Sequence, residues 1–128
     1  NTGKVENMSG MFHTNTSLTS LTGLENWNTG KVENMSGMFS QNTSLTSLTG
    51  LENWNVGNVT NMSYMFSNCK GLTTASGITD WDITNVTNFK EMFDIKNENG
   101  DWVLNPVHPT FTKVAGTWSS DGTFVPSS

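Results

Sequence analysis

The fold class that this sequence predicts is a mixed α/β solenoid, in which coils of about 27 residues are followed by a small β-rich C-terminal cap. Internal repetition is the first observation behind this prediction, because the first two units differ only where His13 and Thr14 become Ser40 and Gln41. A tandem repeat of this length is typical of proteins whose successive units bury their apolar faces against one another. The units are residues 1–27, 28–54, a diverged copy at 55–81 and a partial copy at 82–93.

Apolar columns are the second observation, since the same residue types recur when the copies are aligned. All seven methionines fall within these columns, which we therefore predict to form the core. The first half of each unit contributes Val5, Val32, Val59 and Val86; Met8, Met35, Met62 and Phe89; Met11, Met38, Met65 and Met92; Phe12, Phe39, Phe66 and Phe93. The second half contributes Leu18, Leu45 and Leu72; Leu21, Leu48 and Ala75; Leu24, Leu51 and Ile78; Trp27, Trp54 and Trp81.

Two spacings within a unit predict its elements. The spacing from Val5 to Phe12 fits one face of a short helix or 3-10 turn, which we place on the convex side. The segment from Leu18 to Leu24 is rich in Thr and Leu, and it is short for a helix. It predicts a concave strand with a bulge or turn at Gly23, joined to its neighbours in a narrow parallel sheet.

The columns resemble the BspA-like leucine-rich repeats of bacterial surface proteins. The run "NVTNMSYMFSNCKGLTTASGITDWDITNVTNFKEMF" carries the W-x(4)-V-x(2)-M-x(2)-M-F-x(5)-L-x(2)-L pattern of that family, and the resemblance covers residues 1–93. The family's cysteine after Met-Phe stands here only as Cys69, with Asn15 and Asn42 at the equivalent positions. The resemblance implies leucine-rich-repeat-like coils and an extracellular, cell-wall-associated bacterial protein used for adhesion.

Residues 94–128 depart from the repeat. "NENG" predicts a hairpin turn that leads into a strand at Trp102–Leu104, and "TFTKV", "GTW" and "TFV" predict further short strands. We interpret this segment as a β-rich cap that covers the last repeat. The alternative is a linker or the start of a following segment, which the tail "VPSS" favours.

Composition excludes several classes of partner. The chain has 128 residues and a formal net charge of −5, and its six basic residues are all lysines. Clustered Lys and Arg are what phosphate contacts require, so neither nucleic acid nor an anionic membrane surface is an expected partner. No apolar run approaches the roughly 20 residues of a membrane span, so we expect no membrane insertion.

Catalysis, cofactors and metals have little support in the sequence. His13 and His108 have no serine or cysteine partner in a recognisable motif, and the glutamates recur only because the repeat recurs. We therefore expect no enzymatic activity and no cofactor. Oxygen ligands for calcium occur in "DIKNENGD", but the glycine is misplaced for an EF-hand and turn chemistry is the favoured interpretation. These ligands are Asp94, Asn97, Asn99 and Asp101.

Cys69 could be a reactive thiol beside Lys70, or an inward structural residue. The column that it shares with Asn42 favours the structural interpretation. An asparagine at that position would have to form hydrogen bonds with neighbouring turns, because a buried amide without partners is costly.

Hydroxyl side chains between the leucines form the predicted binding surface, which the resemblance places on the concave face. A flat array of this kind suits many weak contacts with host extracellular matrix, mucin, or cell-surface proteins or glycans. A structural stalk or spacer that projects another domain from the cell wall is the alternative, and ice or crystal-surface binding is a weaker one. The predicted ligand-binding residues are Thr19, Ser20, Thr22, Thr46, Ser47, Thr49, Thr73, Thr74 and Ser76.

Overall fold

The computed structural model of the protein describes residues 6–13, 18–21, 23–25 and 27–127. Turns and irregular backbone make up most of this part of the chain. Strands β1 and β2 form one antiparallel hairpin, and β3 and β4 form another. The elements are a 3-10 helix at Ser76–Ile78, β1 at Asp94–Lys96, β2 at Trp102–Leu104, β3 at Gly116–Trp118 and β4 at Phe124–Pro126.

The prediction of a mixed α/β solenoid with leucine-rich-repeat-like coils is wrong. Throughout the described ranges there is no α-helix and no parallel sheet, and the only sheets are the two antiparallel hairpins. Within the same ranges, parallel pairing is limited to single-residue bridges between equivalent asparagines of successive copies. The bridged residues are Asn7, Asn34, Asn61 and Asn88.

Backbone donors explain why the methionine segment is not a helix. A helix requires each N–H to bond the carbonyl four residues earlier, but here the N–H of Met35 donates to the carbonyl of Asn61 at 2.9 Å in the next copy. The residue just before the second methionine of each copy has a left-handed backbone, with φ of 63° at Gly37 in the second copy and 59° at Tyr64 in the third. A left-handed residue interrupts a right-handed helix, so the three-residue spacing of the methionines belongs to a turn.

The leucine segment is likewise a turn instead of the predicted strand. In the second copy the N–H of Leu51 donates to the carbonyl of Leu48 at 3.3 Å, and Gly50 between them has φ of 115°. The third copy has the 3-10 helix Ser76–Ile78 at the equivalent position. The first two copies share one backbone hydrogen bond here, from the N–H of Thr46 to the carbonyl of Thr19. A single bond does not make the repeated pairing of a β-sheet.

The predicted apolar columns are confirmed as the core in the second to fourth copies. Met35, Met38 and Phe39 are all 0% exposed, and phenylalanine rings of successive copies stack with centroids 5.0 to 5.5 Å apart. Tryptophan rings at Trp27 and Trp54 stack in the same way at 6.3 Å. Val5 of the first column lies outside the described residues.

The C-terminal hairpins were partly predicted. Strands at Trp102–Leu104 and Gly116–Trp118 are confirmed, and the last strand begins at Phe124, one residue later than "TFV" suggests. The predicted strand "TFTKV" is wrong, because residues 110 and 111 are irregular backbone and residues 112–114 form a bend; Phe111 is buried. No helix in the part of the chain described is long and apolar enough to cross a membrane.

Candidate functional site

Threonines at equivalent positions of three copies form the row that the sequence singles out. We call Thr19, Thr46 and Thr73 the threonine row; all three are exposed. Of the other predicted residues, Ser47 is half-buried, and Thr22 lies outside the described residues. The remaining four are exposed: Ser20, Thr49, Thr74 and Ser76.

Hydrogen bonds along the row determine what it can offer a ligand. The hydroxyl of Thr46 donates to the carbonyl of Thr19 at 3.2 Å, and that of Thr73 donates to the carbonyl of Thr46 at 3.1 Å. Because a hydroxyl has one hydrogen and two lone pairs, each of these groups keeps only acceptor capacity for a partner. This part of the row therefore presents acceptors that suit hydroxyl or amide donors.

A groove lies beside the last residue of the row. It has a volume of about 380 Å³. One wall comes from the third copy and includes Thr73, Thr74 and Ser76, and the other wall is the segment Pro106–Thr110. This second wall was not predicted from the sequence, although the two prolines of "NPVHPT" could have indicated an extended segment. We call this feature the row groove.

Bonds on both sides hold the Pro106–Thr110 wall in place. The imidazole Nδ1 of His108 lies 2.8 Å from the carbonyl of Asn105, and since a carbonyl can only accept, this nitrogen carries the hydrogen. The indole of Trp118 donates to the carbonyl of Pro109 at 2.9 Å. The rings of His108 and Trp118 are 5.4 Å apart. His108 is thus positioned in the groove wall by the second hairpin.

The column that contains Cys69 is buried and bonded between copies. The amide of Asn42 donates to the carbonyls of Phe12 at 2.9 Å and Phe39 at 2.6 Å, which confirms the predicted bonding of an inward asparagine. The thiol of Cys69 donates to the carbonyl of Phe39 at 3.2 Å. Burial raises the pKa of this thiol to about 12, so it stays protonated and poorly nucleophilic at neutral pH.

Asp94, which the sequence indicated only as a possible calcium ligand, carries a buried carboxyl group. It is 1% exposed and accepts a hydrogen bond from the hydroxyl of Ser67. Burial raises the pKa of Asp94 to about 6; the Ser67 bond opposes this rise, and the nearby carboxyl of Glu91 adds to it. Asp94 is therefore poised to gain or lose a proton in mildly acidic solution.

The other proposed calcium ligands belong to the β1–β2 turn. The side-chain oxygen of Asn97 accepts from the backbone N–H groups of Asn99 and Asp101, both at 2.9 Å. Bonds of this kind are those of a turn stabilised by an asparagine. Across the described ranges, no three His, Cys, Asp or Glu side chains are grouped as metal ligands would be.

Comparison with known proteins gives one match. Neither a curated protein sequence nor a solved structure matches the chain. The family described as "Mycoplasma protein of unknown function, DUF285" matches residues 1–104, which include every repeat copy and the first hairpin. On this match over most of its length, the chain belongs to the DUF285 family.

Proposed function

We propose that the chain is a non-catalytic module of a bacterial cell-surface protein that binds host matrix, mucin, or cell-surface proteins or glycans through the threonine row. The observation that carries this proposal is the run of exposed hydroxyl residues from three copies that ends in the row groove. Such a surface allows many weak contacts instead of one deep pocket. Extracellular location and attachment to the cell wall are part of the same proposal.

The finer assignment, to BspA-like surface repeats, rests on the residue columns. The spacing from Trp27 through Val32, Met35 and Met38 follows the pattern of that family. The DUF285 match covers the same copies. Adhesion is the role that we infer for the chain from this assignment.

The hydroxyl groups of the threonine row act as hydrogen-bond acceptors, which restricts the ligands to those that carry donors. Because the hydroxyls of Thr46 and Thr73 donate to backbone carbonyls, a partner must bring its own donors to them. Sugar hydroxyls and peptide amides both do so. Glycans and extended peptides are therefore the ligands that we would examine first.

A binding screen with matched variants tests this proposal. The native chain is applied to immobilised matrix proteins, mucin and glycan arrays, and any binding found is measured again with Thr46→Lys and Thr73→Lys. Thr60→Lys and Thr87→Lys are the controls, since these exposed threonines also donate to carbonyls of the preceding copy, at 3.3 and 3.2 Å. We expect loss of binding in the first pair and retention in the second; equal loss in both pairs would reject the row as the binding surface.

A structural spacer is the second candidate, and the same hydrogen bonds favour it. Row hydroxyls that bond the preceding copy contribute to cohesion between copies, and the near-identity of the first two copies fits a unit duplicated for length. The spacer predicts no binding to any surface in the screen and unchanged adhesion of cells that lack the repeats. Either a specific ligand or a loss of adhesion would contradict it.

A further inference from the structure

Four threonines of the chain make the same pair of hydrogen bonds. In each, the backbone N–H and the side-chain hydroxyl both donate to one backbone carbonyl of the preceding copy. The nitrogen and the hydroxyl oxygen of Thr46 lie 3.1 and 3.2 Å from the carbonyl of Thr19, and those of Thr73 lie 2.9 and 3.1 Å from the carbonyl of Thr46. The other two pairs run from Thr60 to Glu33 and from Thr87 to Thr60. We call this arrangement the threonine double bond pair.

The carbonyl of Thr73 stands at the same position as those of Thr19 and Thr46, but no described residue donates a hydrogen bond to it. Thr73 lines the row groove. The opposite wall includes Pro106 and Pro109, and proline has no backbone N–H with which to satisfy an acceptor. Since a carbonyl oxygen has two lone pairs, the groove leaves an acceptor open for both donors of a threonine.

Thr112 shows that a segment from outside the repeats can donate to the third copy in a similar way. Its N–H donates to the carbonyl of Thr79 at 2.9 Å. Its hydroxyl lies 3.3 Å from the same carbonyl but 2.6 Å from a carboxylate oxygen of Asp80, and its one hydrogen goes to the carboxylate. A threonine therefore docks on this copy without belonging to a repeat, as a threonine of another protein would.

The chemistry of the groove restricts which peptide fits it. The described residues that line it carry hydroxyl, aliphatic and proline side chains and the imidazole of His108, but no carboxylate and no ammonium group. A charged side chain that entered the groove would lose hydration without meeting an opposite charge. The lining therefore favours a segment without charged residues.

We propose that the row groove binds an extended, uncharged peptide segment of a partner protein through one unmodified threonine, whose N–H and hydroxyl both donate to the carbonyl of Thr73. The inference rests on the proposed function, because it names the ligand of the same surface. Threonine suits the position since its branched side chain favours extended backbone. A glycosylated threonine has no hydroxyl hydrogen and cannot form the pair, so the groove selects peptide over glycan.

Peptide titration of the native chain, followed by proton NMR of the histidine rings, tests the proposal. His108 lies in the groove wall, and His13 is the other histidine of the chain. His13→Ser, which copies Ser40, assigns the two sets of ring signals. The probe is acetyl-Ser-Ala-Thr-Ala-Ser-amide at millimolar concentration. We expect the His108 signals to shift as the peptide is added and the His13 signals to stay in place.

Matched peptides measure each bond of the pair. Valine in place of the central threonine removes the hydroxyl, and we expect roughly fivefold weaker binding for the loss of one neutral hydrogen bond. A threonine that carries N-acetylgalactosamine should bind at least as weakly as the valine peptide, and an N-methylated threonine should not bind. Equal affinity of the threonine and valine peptides overturns the proposal, as does the absence of any His108 shift with the threonine peptide.

Two variants locate the binding. Thr110→Trp places a large side chain in the groove wall, whereas Thr117→Trp changes an exposed threonine of β3 outside the groove. We expect the first to abolish the His108 shift and the second to keep it; loss in both rejects the groove as the site. If Thr46→Lys abolishes matrix binding while the threonine peptide leaves His108 unmoved, this inference fails and the proposed function stands. If the peptide binds while no surface in the screen does, the reverse holds.

Discussion

At the scale of single residues, the third position after the Met-Phe pair of the second and third copies shows how one buried site accepts two different side chains. Asn42 and Cys69 both lie there, and each donates to the carbonyl of Phe39. The amide also reaches Phe12, so it joins two copies. Every buried side-chain oxygen and nitrogen in the described residues has a hydrogen-bond partner. A substitution that removes the donor at this position therefore breaks hydrogen bonds that the folded chain makes.

Replacement of Asn42 tests the worth of these bonds. Asn42→Ala leaves the carbonyls of Phe12 and Phe39 without this donor, and we expect a loss of about 1–3 kcal/mol in the free energy of unfolding. Asn42→Cys copies the solution that the chain uses at Cys69, so the loss should be smaller. Urea denaturation measures both variants. Equal stability of the alanine variant and the native chain would contradict the structural role.

The pH dependence of stability tests Asp94. Its pKa rises from 3.8 to about 6 on folding, so between these values the native state binds more protons than the unfolded state. The contribution of Asp94 to stability is therefore fully present below pH 3.8 and is lost as pH rises to about 6. Glu91 and the thiol of Cys69 are the ionisable groups coupled to it.

Urea midpoints measured from pH 4 to pH 7 show this contribution by difference. In Asp94→Asn the fall in stability across that range should disappear, because the titrating group is gone. Asp101→Asn removes an exposed carboxylate of the β1–β2 turn instead and should keep the native profile. If Asp94→Asn retains the full native pH dependence, another group is responsible for it.

At the scale of elements, glycine turns replace the helices and strands that the spacing indicated. Gly23 and Gly50 both have positive φ, of 102° and 115°. They differ in their surroundings, because a Cβ at Gly23 would meet no atom of the described residues within 4 Å. A Cβ at Gly50 would lie 2.5 Å from the carbonyl oxygen of Leu21 in the preceding copy. The second turn is therefore also a close approach of two backbones.

The two glycines form a matched pair for mutation. Gly23→Ala should cost about 1–2 kcal/mol of stability, since alanine must adopt a left-handed conformation. Gly50→Ala carries the same strain and also pushes two copies apart, which adds roughly 1–3 kcal/mol. Thermal or urea unfolding of the two variants gives the difference. Equal losses at both positions would mean that the copies are not in close contact at Leu21.

At the scale of the whole molecule, an aromatic cluster joins the last copy to the second hairpin. Phe124 contacts Phe89 at 5.2 Å, and it contacts Phe111 and Trp118 at 5.1 Å each. Edge-on contacts of this kind add to the burial of apolar area. The cluster lies where residues 82–93 meet the second hairpin, so it couples the two parts of the chain.

Phe124→Ala tests that coupling. Removal of a buried phenylalanine from such a cluster should cost about 3–5 kcal/mol. Val125→Ala is the control on the same strand, because Val125 is 49% exposed and should change stability by less than about 0.5 kcal/mol. Urea unfolding followed by tryptophan fluorescence measures both. Similar midpoints for the two variants would mean that the second hairpin does not stabilise the repeats.

The sequence by itself determined the repeat unit and the residues of its core. Identity at a fixed period brings the same apolar side chains together in every copy, and this is why the columns from Met35 to Trp81 are buried as predicted. The predicted strand at Trp102–Leu104 also follows from local turn chemistry at "NENG". These features depend on neighbours in the sequence or on exact repetition.

Only the tertiary structure decided which backbone conformation, helix, strand or turn, each segment of a unit adopts. A spacing of three residues fits a helix and a turn equally well, and the choice depends on whether an N–H such as that of Met35 bonds within its own copy or to the next. The row groove and the environment of Asp94 likewise depend on contacts between distant segments. Hydrogen bonds and burial across 26 or more residues leave no local signal, so folding alone determines them.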